Sequence, residues 1–231
     1  MVACVVAPPY TLEQRSRWLI ARFSEPWNLL SWCVVNGGFQ RTKTVGWLYL
    51  EQNEIAGVSD SADWMRARMY TDSLGEAVSF MTTRRVHRWV ESSADEADCI
   101  AHGVTAWAVG TVGLSNALRA GDPAGEPSCG TINLLVCVNV PLTTEAALEA
   151  LCLAGEAKTL AVLESGTRST SSRAPATGTG TDYIALAWPT SGTPLPYSGK
   201  HTAVGAAIGR AAFLAVTRGI AQWHDENGDR G

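Results

Sequence analysis

The sequence predicts a single α+β domain: a mixed or mainly antiparallel sheet from the N-terminal half, covered by helices, two of them long and in the C-terminal half. Three observations point there. Apolar and β-branched runs crowd the first third of the 231 residues, the second half ends strand–helix–strand–helix, and no long linker or fixed-period repeat divides the chain. One core therefore serves residues 1–231, with short flexible termini expected at 1–10 and 225–231. With 46% hydrophobic and 17% charged residues, there is enough apolar surface to offset the entropy of ordering the chain, which excludes disorder.

Taken in order, residues 17–23, 29–36 and 43–50 are β-branched or aromatic-rich and read as a meander, broken by Ser24-Glu25-Pro26 and by the turn signal Asn36-Gly37-Gly38. Residues 61–70 place Ala62, Met65 and Met69 at helical spacing behind an Asp60 cap. Strands are expected over 77–81, 99–112 and 131–140, the last the clearest buried strand in the sequence. Thr143-Thr144-Glu145 caps a helix that runs to Leu163, with Leu148, Leu151, Leu160 and Leu163 as its apolar stripe. Residues 165–181 have the composition of a flexible linker, but they lead straight into a strand over 183–188, which argues for an ordered segment. A final helix over 201–223 carries Gly205, Ala206, Gly209 and Ala212, small residues suited to close packing on a sheet.

A net charge of −4 with no basic cluster excludes dedicated nucleic-acid binding. Residues 1–10 lack a charged n-region and stop at Pro8-Pro9, so no export signal is expected. The apolar runs 132–142 and 206–216 are interrupted and fall short of the roughly 18 to 20 residues of a membrane span, so no membrane partner is expected. Six cysteines without a CxxC pair suit reduced thiols in a reducing, cytoplasmic compartment. Histidines at 87, 102, 201 and 224 stand alone, so no metal site and no cofactor are expected. The oligomeric state stays open, a homo-oligomer included.

Four polar clusters lie at strand ends, where loops place working groups on rigid supports. Asn36 and Gly37 form the first, a hairpin turn or a binding corner. Residues 111–123, with Asn116, form the second; two glycines and small hydroxyls expose backbone N–H groups, without a phosphate-loop pattern. Thr131, Asn133 and Asn139 are separated by even numbers of residues, which puts them on one strand face as a structural network or an amide-binding row. The fourth is the Thr-Gly alternation of Thr177, Thr179 and Thr181 before Asp182, with Lys200 and His201 soon after: a mobile loop and helix cap, or hydroxyls beside a carboxylate–imidazole pair. Trp32 and Trp188 adjoin these clusters as pocket walls.

Together the clusters resemble the CbiZ family of adenosylcobinamide amidohydrolases. The resemblance rests on LSWCVVNGG at 30–38, TVGLSNALRAGDP at 111–123, GTINLLVCVN at 130–139, the helix ending in GEAKT at 155–159, APATGTGTD at 174–182 and GKHT at 199–202, in the family's order and over residues 25–218. It implies hydrolysis of the amide joining the corrin f side chain to aminopropanol, giving adenosylcobyric acid in cobalamin salvage, with adenosylcobinamide as the small-molecule partner. Residue chemistry, rather than the resemblance, suggests Asp182 and His201 as the acid/base pair and Thr179 as a nucleophile or anchoring hydroxyl. On the same reading Asn36, Gly37, Asn116, Thr131, Asn133, Asn139, Thr177, Thr181 and Lys200 hold the substrate. Two alternatives are a corrinoid-binding protein that cleaves nothing and a threonine-nucleophile amidase freed by a cut at Gly130-Thr131.

Overall fold

In the computed structural model of this chain, which describes residues 6–51, 54–55, 57–94, 103–125 and 128–228, alternating side chains build an opening hairpin. Strand β1 (Tyr10–Arg15) runs antiparallel to the first half of β2 (Trp18–Ser31), with Tyr10 opposite Phe23 and Arg15 opposite Trp18. Ser24-Glu25-Pro26 do not break β2. Its pairing with β3 (Gly38–Tyr49) shifts register between Arg22 and Trp27, so the extra residues are absorbed as a bulge, where a proline without an N–H is tolerated. Phe23 and Trp27 stack across that bulge at 5.0 Å, which keeps both on one face of the strand.

Helix α1 (Ser61–Thr71) follows, capped as the sequence predicts: the Asp60 carboxylate accepts from the backbone N–H groups of Ala62 and Asp63. Then come β4 (Val78–Thr82), a 3₁₀ turn at Val86–Arg88, β5 (Val90–Ser93), β6 (Ala106–Val112), β7 (Ala117–Leu118) and β8 (Ile132–Val138). The strand expected over 99–112 is shorter, and its residues 99–102 lie outside the described ones. Helix α2 (Thr144–Glu164), β9 (Gly178–Thr179), β10 (Tyr183–Trp188) and α3 (Ala203–Asn227) complete the chain. The tail expected to fray from 225 is helical through Asn227.

Among the described residues the strands form an eight-stranded sheet, ordered β4-β3-β2-β10-β8-β6-β5 with β1 beside the first half of β2. Two pairings, β10 with β8 and β3 with β4, are parallel and the others antiparallel. The mainly antiparallel mixed sheet is as expected, but its centre is not purely N-terminal: β8 and β10 are inserted next to β2. The sheet curls over on itself. Trp47 of β3 donates its indole N–H to the Asn133 carbonyl of β8 at 3.2 Å, and the Asn133 amide reaches the Met81 carbonyl of β4 at 2.7 Å, although neither pair of strands is adjacent.

Leu19, Trp27, Trp47, Phe80, Leu135 and Ala185 fill the space inside the curl. The outer face is covered in two places. Helix α1 presses Met65 and Met69 onto Trp18, Ile20 and Leu48, while α2 and α3 cover Leu134, Val136, Ile184 and Leu186.

Helix α2 corrects one expectation. Leu148, Leu160 and Leu163 are exposed, and the face against the sheet is built from Ala146, Ala147, Ala150, Ala154, Ala157 and Ala161 with Leu151 and Leu153. Short side chains let α2 and α3 approach the sheet closely, so the leucines are left outside. Helix α3 does the same through Ala212 and through Gly219, which packs on Val112 and Val90; Gly205 instead lies against the carbonyls of Ser198 and Gly199, Ala206 is exposed, and a methyl at Gly209 would meet open space. Its 25 residues are long and apolar enough, by length and composition, to cross a membrane, which corrects the shorter span read from sequence; ten of them are buried in the fold.

Candidate active site

Four connections meet at one end of the sheet: the ends of β2 and β6 and the starts of β8 and β10. Most of the motifs singled out above stand there. The Thr-Gly segment is ordered, as its position before β10 suggests. Strand β9 pairs with β7, Thr177 and Gly180 are bound to the backbone of Leu118 and Asn116, and the Thr177 hydroxyl accepts from the Ala120 N–H at 2.8 Å. Upstream, Ser169 and Ala176 are fully buried, which no linker would be.

Asp182 is the hub of this segment. Its carboxylate accepts from the Thr179 N–H at 3.1 Å, the Thr179 hydroxyl at 2.5 Å, the Ile132 N–H at 3.2 Å and the Lys158 ammonium at 2.8 Å. Lys158 comes from α2 and also donates to the Thr177 carbonyl at 3.0 Å. The pair is enclosed, with side-chain exposures of 11% for Lys158 and 10% for Asp182. Glycine is required beside it: a Cβ on Gly178 would overlap both the Asp182 carboxylate and the Lys158 ammonium. Gly180 is held in the same way against the Asn116 side chain. Trp32, half exposed at the end of β2, donates its indole N–H to the Asp182 carbonyl at 2.8 Å and roofs the cluster.

Thr131 and Asn133 form the floor. The Thr131 hydroxyl lies 2.8 Å from the Asn133 side-chain oxygen and also bonds the Thr181 carbonyl, tying β8 to the loop; Asn133 is completely buried. Asn116 is buried next to them and donates to the Ser128 carbonyl at 2.9 Å.

Other predicted residues are elsewhere. Asn139 bonds Thr105 and Gly103 at the opposite end of β8, where it ties down a connection. Asn36, in the left-handed region at φ 56°, spends its amide on the carbonyls of Gly75 and Ala77. A Cβ on Gly37 would overlap the Cys33 carbonyl, so this glycine serves the turn.

Asp182 and His201 are not brought together, which corrects the acid/base pair. His201 is exposed ahead of α3, and the space beside Gly199 is shared by its ring and Glu149 of α2. Glu149 and Lys158 are nine residues apart, roughly 13 Å along the helix and half a turn round it, so His201 and Asp182 flank α2 on opposite sides. Lys200 pairs with Glu156 on the exposed surface.

Lys158 is the residue that sequence reasoning missed. It is the one basic residue in α2, and the positions three and four away on either side are Ala154, Gly155, Ala161 and Val162. No partner was available along the helix, so the ammonium had to find one in another element.

Residues 7–228 match the model of the CbiZ family, described as adenosylcobinamide amidohydrolase. The chain belongs to that family. This adenosylcobinamide amidohydrolase family member is also similar to an uncharacterized protein of Methanocaldococcus jannaschii, 28% identical over 174 residues that make up 74% of this chain and 64% of that protein. The chain thus spans less than two thirds of that relative's length. Among solved structures, a Pyrococcus horikoshii OT3 protein is matched over 93% of this chain and 83% of its own at 10% identity and a TM-score of 0.44, a likeness too loose to bear on function.

Proposed function

We propose that this chain cleaves the amide between the corrin f side chain and aminopropanol in adenosylcobinamide, releasing adenosylcobyric acid for corrinoid salvage. The observation that carries the reading is the family match over residues 7–228. The reaction adds water to the amide carbonyl carbon, places charge on the carbonyl oxygen, breaks the C–N bond and releases the amine with a proton.

The cluster supplies a donor for that oxygen. An ammonium has three N–H bonds, and Lys158 commits two, to Thr177 and Asp182, which leaves the third for a substrate carbonyl. Asp182, with both oxygens occupied, orients Lys158 and Thr179 and is not the attacking base. Trp32, bonded to the Asp182 carbonyl, offers a half-exposed flat face suited to the edge of a macrocycle.

The test is to incubate the purified chain with adenosylcobinamide, with and without a chelator, and to follow adenosylcobyric acid and aminopropanol by mass spectrometry. Release of both products supports the reading. Corrinoid retained without cleavage would replace it with a binding role.

A further inference from the structure

A second concave site opens between the 3₁₀ turn at Val86–Arg88 and the C-terminal end of α3, with a cavity volume of about 350 Å³. It is a different place from the Lys158–Asp182 cluster, though Gly113 and Ser115 of its wall belong to the loop that leads to Asn116. Among the described residues, Arg84, Arg85, Arg88 and His87 line it against one lining carboxylate, Glu226. A second carboxylate, Glu51, is not in the lining and accepts a 3.0 Å hydrogen bond from the hydroxyl of Tyr49, which is.

The wall is built, not incidental. Arg84 grips Glu226 through both guanidinium ends, at 2.5 and 3.0 Å, and reaches Gln222 at 3.3 Å. Its side chain is only 9% exposed, yet its buried Nε has no hydrogen-bond partner among the described residues. Arg88 reaches, at 3.2 Å, the same Glu226 oxygen that accepts the longer Arg84 bond. One carboxylate therefore serves two guanidiniums, and Arg85 adds a third cation at the rim. The half-buried rings of Tyr49 and Trp223 stand beside these cations.

The geometry points to a binding site for a phosphate monoester carrying a flat organic group. The excess of guanidinium over carboxylate takes the dianion, since planar N–H forks match phosphate oxygens. The aromatic walls take the flat part, and a cavity of this size exceeds what a bare phosphate needs. The inference does not rest on the corrinoid reading.

Adenosine 5′-monophosphate is the probe, titrated calorimetrically into the full chain at low salt alongside inorganic phosphate and adenosine. The expected result is one saturable site for the nucleotide, phosphate at least tenfold weaker and competing, and no measurable binding of adenosine. Arg85→Gln with Arg88→Gln, both at exposed positions, is expected to weaken the nucleotide at least tenfold while far-UV circular dichroism and turnover of adenosylcobinamide stay unchanged. No saturable nucleotide binding, or equal affinity in the double variant, would overturn the site. Phosphate binding as tightly as the nucleotide would overturn the role of the aromatic walls. Loss of corrinoid turnover in otherwise wild-type protein would count against the proposed hydrolysis and leave this titration untouched.

Discussion

Replacing Lys158 with Met keeps the stem of the side chain and removes the charge from a pair that is only 10–11% exposed. Breaking a buried ion pair by deleting one partner costs about 3–5 kcal/mol, chiefly because the other charge stays desolvated. Asp182 keeps two donors from Thr179 and one from Ile132 after the change, so Lys158→Met belongs near the low end, about 3 kcal/mol. Asp182→Asn leaves the ammonium without a counter-charge, its acceptors reduced to the neutral Thr177 carbonyl and the new amide oxygen, and belongs toward the high end, about 4–5 kcal/mol. The double variant has no stranded charge and should be less destabilised than the sum of the singles by about 2 kcal/mol. Urea unfolding of the four proteins measures all three quantities. In the same proteins, loss of the carbonyl donor should lower kcat for adenosylcobinamide by roughly 10²-fold or more. Lys158→Met within about 1 kcal/mol of wild type, with additive singles and unchanged turnover, would refute both the buried pair and its chemical role.

Gly178→Ala should destabilise by about 1–3 kcal/mol and reduce turnover, because its methyl displaces the same pair; denaturant midpoints and product release check this. Glu54 accepts from Arg17, and that hydrogen bond holds its carboxyl below the usual value. A depressed folded-state value adds stability above about pH 4.3 that is lost as pH falls through the lower value, so Glu54→Gln should flatten the acid limb of a stability–pH curve. An unchanged acid limb would count against it. In native alkylation followed by peptide mapping, exposed Cys152 should label before Cys137, since burial pushes the Cys137 thiol well above its ordinary range; equal rates would contradict the packing.

The parts of this fold that could be read in advance are those governed by local chemistry. The Asp60 and Thr143 caps and the strand Tyr183–Trp188 depend on residues close in sequence, and the structure has them where spacing predicts. Where tertiary contacts decide, local pattern misleads. Ser24-Glu25-Pro26 looks like a break until β3 pairs alongside and absorbs it as a bulge. The leucines of α2 look like its core stripe, but the neighbouring helix and sheet select alanines, because closeness of approach outweighs side-chain size there.

The candidate site divides in the same way. Asp182, Thr179, Thr131, Asn133 and Asn116 were identifiable because the motifs that hold them cluster at strand ends. His201 was paired with Asp182 on residue chemistry alone, and α2 separates the two. The same helix supplies Lys158, whose signal was the lack of any intrahelical partner rather than membership of a motif. A buried lysine that must be matched from another element is costly to keep, and the structure spends two of its three N–H bonds on one loop and its carboxylate hub. The third N–H is what distinguishes a site from a strut, and turnover by Lys158→Met set against its unfolding free energy separates the two.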